Sequence, residues 1–419
     1  MDTTHHKINW GLIKTEKVDA ATYAAITNSK GFTPTTGSAS TISVIAKMNG
    51  KGFWDSKRER YCYYDEIGVV HAISIGSEDQ VNAELKGLEA WNDFKLQARL
   101  RDGIDLGSYY GKLTKSNYWV KYCVVGPLNY GKPGEYDQIT KIDISSAYPY
   151  ELSKRLPTFN GCEVVEGYIS PNEQFPFAFY SDGNLAFIEA DGRYINTYTI
   201  RNSCWYGQSQ RERDKLKHLV ASSIHPTWIL PNTPTTILCK AARGLTATAN
   251  WYYSQRTIDP NSKLKANASI GYMHRNSQPL LAHIAAVVLA RCANRMITMA
   301  EELRCCGNKV TLIATDSIAW TGGRIPQFEF EHPTHIKSLG CAYYELENCM
   351  MIVCGPKAYQ TYNPLTTTTT THWSGKSKAI TATMSYGDIK GLEPQIPTLN
   401  TTTGKITYLP YEQGELLTW

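Results

Sequence analysis

Lys141-Ile142-Asp143-Ile144-Ser145-Ser146-Ala147-Tyr148-Pro149 is the stretch on which the fold turns. Ile139, Lys141 and Asp143 alternate with Thr140, Ile142 and Ile144, and this period of two predicts a short strand. The strand closes on a carboxylate, and a Ser-Ser-Ala-Tyr-Pro turn follows at once. A carboxylate so placed, with backbone amides turning beside it, can hold a hard cation against a phosphate-bearing ligand. An Asp that merely caps the turn fits the same nine residues, so function rests on what stands elsewhere in the chain.

Two stretches downstream bear on it. Lys263-Leu264-Lys265-Ala266-Asn267-Ala268-Ser269-Ile270-Gly271-Tyr272 predicts a helix with Lys263, Asn267 and Ile270 on one side, at spacings of four and three. Such a side presents an ammonium to phosphate with an amide beside it, and Lys265 is a rival for the phosphate role. Val310-Thr311-Leu312-Ile313-Ala314-Thr315-Asp316-Ser317-Ile318-Ala319-Trp320-Thr321-Gly322-Gly323 runs apolar into Thr-Asp-Ser and apolar out again, a hairpin with Asp316 at its tip. Two strand-borne aspartates separated by a basic helix suggest two-metal phosphoryl or nucleotidyl transfer.

Taken in order, Asp143-x-x-Ser146-x-Tyr148-Pro149, Lys263-x-x-x-Asn267-x-x-x-Gly271 and Thr315-Asp316-Ser317 resemble motifs A, B and C of family B DNA polymerases. The likeness is greatest to the protein-primed branch of phages and linear plasmids and covers roughly residues 120 to 360. It implies an α+β right-hand polymerase: a palm of antiparallel sheet backed by helices, short helical fingers and a small thumb, behind an N-terminal domain. The implied divisions are 1–120 for the N-terminal domain, 121–235 for the first palm part with an insertion, 236–275 for the fingers, 276–360 for the second palm part and 361–419 for the thumb.

The resemblance also implies roles. Asp143 and Asp316, with the carbonyl of Ile144, would hold two Mg2+ ions, with Mn2+ a possible substitute. The backbone of Ser145, Ser146 and Ala147 would cradle the triphosphate of a dNTP, and Tyr148 would lie under the sugar and crowd out a 2′-hydroxyl. Lys263, Asn267 and Arg256 would contact the nucleotide. Thr315, Ser317, Gly271, Lys357 and Tyr359 would contact primer-template DNA, joined from the thumb by Lys376 and Lys378. A terminal protein or other replication protein is an implied partner, with 158–235 as a candidate region for it.

Departures from the pattern carry their own expectations. Ala314 stands where the family has the first Asp of Asp-Thr-Asp, which leaves room for a catalytically weakened descendant that only binds nucleic acid or a replication partner. A transferase that starts from a protein hydroxyl or adds untemplated nucleotides is a further alternative. Ile270 replaces the usual Tyr, leaving an apolar surface at that point. The 45 residues from Gly271 to Asp316 hold one long helix and a strand, without space for the hairpin that encircles template in the protein-primed branch. No Asp-x-Glu of the proofreading type stands in 1–120; Asp65, Glu66 and Asp102 read as isolated surface residues, so proofreading is expected to be absent.

Composition sets the remaining bounds. At 419 residues the chain can carry two to four domains with proper cores. No apolar run reaches the length of a membrane span and the N-terminus lacks the pattern of a signal peptide, so a cytoplasmic protein is expected, in the host cell if viral. Eleven scattered Cys without a Cys-x-x-Cys pair suggest neither zinc nor a disulfide framework. The net charge of +5 is unevenly spread: residues 211–304 hold 13 basic against 5 acidic side chains, whereas 1–140 are near balance, so the counter-charge for a polyanion lies around Lys263.

Five local readings complete the pass. Residues 31–41 are loop-like, 78–101 helical, and 122–137, rich in Gly, Pro and Tyr, either a template-contacting loop around Gly126 or a linker. Residues 279–304 are the clearest helix, with Leu281, Ile284, Val288, Cys292, Met299 and Leu303 as its apolar stripe. The run Thr366 to Thr371 reads as a loop or an exposed strand edge.

Overall fold

The computed structural model describes residues 89–203, 233–322 and 333–392, apart from 115, 127, 260, 275–279, 356 and 374–380, together with Phe328 and the backbone of six outlying strands. In chain order the first of these strands are β1 (Thr33–Thr35), β2 (Phe53–Asp55), β3 (Arg60–Tyr64) and β4 (Val70–Ser74), which form a four-stranded sheet ordered β1-β4-β3-β2. β1 falls inside the stretch read as loop. The rest of 1–88, with Asp65 and Glu66, and Lys376 and Lys378, expected in a thumb, lie outside the described residues.

Helix α1 covers 89–97 and runs into a π-helical turn, Ala98–Asp102, that closes on Gly103 at φ +68°. β5 (Asn129–Gly131) and β6 (Gly134–Ile144) follow, so the stretch 122–137 is no linker: it contributes two strands of the main sheet. α2 (Ala147–Ser153) leaves from the end of β6. The inserted segment then builds β7 (Leu156–Glu166), β8 (Phe177–Tyr180), β9 (Leu185–Ile188), β10 (Tyr194–Asn196), helix α3 (Thr197–Ser203) and β11 (Thr235–Ala242).

These form a five-stranded antiparallel sheet ordered β10-β9-β8-β11-β7. β11 therefore belongs to this second sheet, and the helices expected from 236 begin after it. They are α4 (Thr246–Ser254), a 3-10 turn over Gln255–Thr257 and α5 (Ser262–Met273).

The long helix α6 (Ala282–Cys305), about 36 Å at 1.5 Å per residue, delivers the chain to the hairpin β12 (Lys309–Ala314) and β13 (Ser317–Thr321). β14 (Ala342–Gly355), β15 (Ala358–Asn363) and β16 (Thr368–Trp373) complete a seven-stranded antiparallel sheet ordered β16-β15-β14-β6-β13-β12-β5. The threonine run is thus an edge strand, where polar β-branched side chains face water on one side. The sheet continues to Trp373, past the boundary expected at 361. A separate two-stranded ribbon, β17 (Gln395–Leu399) and β18 (Ile406–Pro410), lies beyond it.

Strand alternation assigns the two faces of the large sheet. Ile142 and Ile144 of β6, Ile313 of β12 and Ile318 and Trp320 of β13 join the principal core, which α6 shares. Ile139, Leu312, Ala319, Met351, Val353 and Tyr359 form a smaller cluster on the opposite face. Because Lys141 and Asp143 follow Ile139 at steps of two, they emerge on that second face. α6 is buried nearly all round over its first half, not along one stripe. It touches β12 and β13 on one side and β7, β10 and α3 on the other, and its alanines allow that double approach.

Candidate active site

The carboxylates expected to meet do so through strand register. In the β6–β13 ladder Ser317 lies opposite Asp143, and Asp316 stands just beyond it at the hairpin tip. The Ile144 amide donates to the Asp316 carbonyl at 2.8 Å, fixing the two strand ends together. The tip itself is strained: Thr315 takes φ +62°, a left-handed conformation that β-branched residues rarely adopt. Its amide donates to Leu128 O at 2.7 Å, and Asp316 N donates to Ala314 O at 2.7 Å, so the surroundings hold the conformation.

β14 flanks β6 on the other side and brings Tyr343 opposite Asp143. The Tyr343 hydroxyl hydrogen-bonds the Asp143 carboxylate. Lys141 extends beneath, with Nζ 2.7 Å from Glu345 Oε2 and donating to Tyr359 Oη at 3.1 Å.

Burial dominates the electrostatics. It pushes Asp143 up to about 7, helped by the charges of Asp316 and Glu345 and opposed by Lys141 and the Tyr343 hydrogen bond. Burial also raises Asp316, with Lys263 the strongest opposing influence. Burial works against the Lys141 ammonium, but Tyr359 and Glu345 outweigh it and its affinity for the proton is raised. Lys357 is lowered by burial, against the attraction of Asp316.

Around this centre the sequence-based candidates divide. Ser145, Ser146 and Ala147 form the buried turn into α2, with Ser146 left-handed at φ +53° and its hydroxyl without a hydrogen-bond partner. The turn is pinned by Ser145 N to Cys341 O at 3.0 Å and Gly340 N to Ser145 O at 2.7 Å. Gly340 has φ +79°, and a Cβ there would run into the Tyr150 ring. Tyr148 is half-buried, and burial raises its hydroxyl, with Asp316 contributing.

Lys263 is exposed near the start of α5, within electrostatic reach of Asp316. Its rival Lys265 is turned away, paired to Asp259 at 3.1 Å. Asn267 is half-buried, and Gly271 has open space where a Cβ would stand. Arg256 lies 5.4 Å over the Tyr253 ring, whose hydroxyl donates to Lys337 O at 2.8 Å.

Several expectations fail on burial. Ile270 is 2% exposed, because α5 runs into the core at that end, so it offers no open apolar surface. Tyr359 is 4% exposed, and its hydroxyl accepts from Lys141 Nζ at 3.1 Å. Ser317 is also buried, its hydroxyl directed at Ala314 O at 3.4 Å. Asp102 is no isolated surface residue: its carboxylate accepts from Ala247 N at 3.0 Å, Thr248 N at 2.9 Å and Thr248 Oγ1 at 2.6 Å, capping α4.

Reading the motifs gave no role to Lys141, Tyr343 or Glu345. The signal for them was the alternation Lys141-x-Asp143 and Tyr343-x-Glu345, which puts each pair on one face of its strand. Among the described residues no group of three or more His, Cys, Asp or Glu is arranged to hold a metal ion. The two half-buried aspartates, each raised by desolvation, are the donor set left for one, and a hard divalent cation is the species that carboxylate oxygens fit.

No protein-family model matches the chain, and no curated protein matches it. Solved structures do. Phi29 DNA polymerase complexed with primer-template DNA aligns at a TM-score of 0.50 and 15% identity over 80% of this chain and 68% of that one. The same polymerase with single-stranded DNA gives 0.51 at 15% identity over 79% and 69%. Its ternary complex with primer-template DNA and incoming nucleotide substrates gives 0.50 at 17% identity over 79% and 70%. The likeness is one of fold: this mixed helix-and-sheet chain, built on an antiparallel sheet, resembles a DNA polymerase. No helix among the described residues is long and apolar enough to cross a membrane.

Proposed function

We propose that this chain is a template-directed DNA polymerase of a phage or mobile element, acting by two-metal nucleotidyl transfer and lacking proofreading. One observation carries the reading: Asp143 and Asp316 converge from neighbouring strands on one face of a sheet whose fold resembles Phi29 DNA polymerase. The seven-stranded sheet would be the palm, α4 and α5 the fingers, and the chain beyond Trp373 the thumb. Asp143 and Asp316 would hold two Mg2+ ions, or Mn2+, with the Ile144 carbonyl as a further oxygen ligand. Such ions, when bound, stabilise charge on the attacking and leaving oxygens of the displacement.

The chain's own groups would do the rest. The turn Ser145–Ala147 presents backbone to the triphosphate, while Tyr148 packs under the deoxyribose and leaves no space for a 2′-hydroxyl. Lys263, with Arg256 and Asn267 near it, neutralises phosphate as the primer 3′-oxygen bonds to the α-phosphorus. The bond from that phosphorus to the β-phosphate oxygen breaks, pyrophosphate departs, and the 3′-hydroxyl proton passes to solvent. Thr315, Gly271 and Lys357 border the path for the primer terminus.

Primer extension with labelled dNTPs tests this. Asp143→Asn and Asp316→Asn are each expected to lower incorporation by about a thousandfold or more while leaving DNA binding within a few-fold. Extension retained at parental rate in either variant would defeat the assignment.

Ala314 favours a second reading, a weakened polymerase-fold protein that grips nucleic acid or a replication partner without synthesis. Absence of incorporation with both Mg2+ and Mn2+ would favour it. Labelled-dNTP transfer without primer or template would instead point to protein priming or untemplated addition.

A further inference from the structure

Lys141 is a lysine where a sheet would ordinarily place an apolar side chain. It is 4% exposed and lies on the same strand face as Asp143, two residues earlier. An ammonium in such a place needs anionic or strongly polar partners to stay charged. It finds them in Glu345 Oε2 at 2.7 Å and Tyr359 Oη at 3.1 Å. The Tyr359 ring is itself covered by His372, stacked at 4.6 Å. The side chain of Glu345 is 36% exposed, so burial does not force it onto Lys141; the ion pair draws it there.

Glu345 is also close enough to matter to the two aspartates. It follows Tyr343, the cross-strand neighbour of Asp143, by two residues on β14. Its charge is felt at both Asp143 and Asp316. Yet among the described residues the three carboxylates do not gather into a metal-holding group, and Glu345 Oε2 lies against Lys141 instead.

We propose that Lys141 is a fixed internal counter-ion that withholds Glu345 from the carboxylate pair, so that Asp143 and Asp316 alone take up divalent cations. With it, the four groups carry a formal charge of −2; without it, a third carboxylate is released and the charge becomes −3. Lys141 is a positioning residue in this scheme, since it acts through Glu345. The inference rests on the metal-binding reading of the Asp143–Asp316 pair given above.

Mn2+ binding to the full chain, followed by the electron paramagnetic resonance signal of the free ion, tests it without reference to activity. Removing a cation about 6 Å from a divalent ion raises affinity by about tenfold even in a water-like dielectric, so Lys141→Met is expected to bind Mn2+ at least that much more tightly. Glu345→Gln leaves the ammonium bare beside the pair and is expected to bind more weakly than the parent. The double variant, which removes both charges, is expected to return towards the parental value.

Lys141→Gln keeps a polar contact for Tyr359 and serves where the Met variant does not fold, with circular dichroism reporting the folded state. Unchanged or weaker Mn2+ affinity in a folded Lys141 variant overturns the proposal. Asp143→Asn separates the two levels. If it abolishes Mn2+ binding while Lys141 variants leave affinity unchanged, only the role of Lys141 falls. If Asp143→Asn leaves Mn2+ binding intact, the metal reading of the pair falls and this inference with it.

Discussion

Desolvation of the half-buried Asp143 carboxylate, with the charge of Asp316 beside it, makes its ionisation a cost to the folded state. Burial pushes Asp143 up to about 7 in the fold, from 3.8 when exposed, so the folded state binds its proton more tightly than the unfolded one. The penalty is absent at pH 3, grows as pH rises through that interval and is complete above about 7. In chelator-containing buffer, Asp143→Asn is therefore expected to stabilise the protein at pH 8 by about 1–3 kcal/mol and to change little at pH 4. A lower urea midpoint for the variant at pH 8 would contradict this. At this scale the acidic residues were legible because their type and order are distinctive. The burial of Tyr359 and Ile270 was not legible because which way a side chain faces depends on what covers it, and Lys141 was passed over because its partner lies some 200 residues away on another strand.

At the scale of elements, two polar contacts hold helices to distant parts of the chain. Asp102 caps α4 across more than 140 residues, accepting from two amides and a hydroxyl. Asp102→Ala is expected to cost about 1–2 kcal/mol in urea unfolding and to increase amide exchange in α4 more than elsewhere. Exchange raised equally throughout would show that the cap is not local to α4.

Arg291 of α6 makes a two-pronged pair with Glu189 at 2.6 and 3.0 Å, just past β9, and also donates to Arg155 O at 2.8 Å. Arg291→Met strands a buried carboxylate and is expected to cost about 3–5 kcal/mol. Adding Glu189→Gln should recover part of that, and no recovery would mean the Arg155 carbonyl contact dominates. The helix α6 was evident from its period, but not its near-complete burial, because the five-stranded sheet that covers its outer side is assembled from residues far up the chain.

At the scale of the whole molecule, His283 couples folding to pH. It is buried at the start of α6, stacked on Phe159 at 4.2 Å, with Nε2 3.3 Å from the Tyr110 carbonyl and Nδ1 without a partner. That arrangement assigns the proton of the neutral ring to Nε2. Burial lowers its affinity for a second proton to about 3, against 6.5 when exposed. The unfolded state thus binds the extra proton first, and stability falls as pH drops below about 6.5, at up to ~1.4 kcal/mol per pH unit from this group. His283→Phe keeps the stack and removes the titration. Its stability should vary less between pH 6.5 and 5 than that of the parent, and equal slopes would exclude His283 as the source. Domain edges were the least legible feature at this scale. The seven-stranded sheet runs on through β15 and β16 to Trp373, past residue 360, and edge strands such as β16 carry weak hydrophobic patterns.

The sequence by itself determined the order of the chemistry: a strand-end Asp143, a helix bearing Lys263 and a hairpin tipped by Asp316, each set by local periodicity and turn chemistry that a few neighbouring residues dictate. Tertiary structure alone decided which groups share the corner with them. The pairing of β6 with β13 and β14 brings Tyr343 and Glu345 to Lys141 and the aspartates, while helix and sheet packing elsewhere buries Ile270 of α5 and Tyr359 of β15. Strand pairing joins residues separated by hundreds of positions, and burial depends on every layer that packs above a side chain, so neither is written in the spacing of any one stretch.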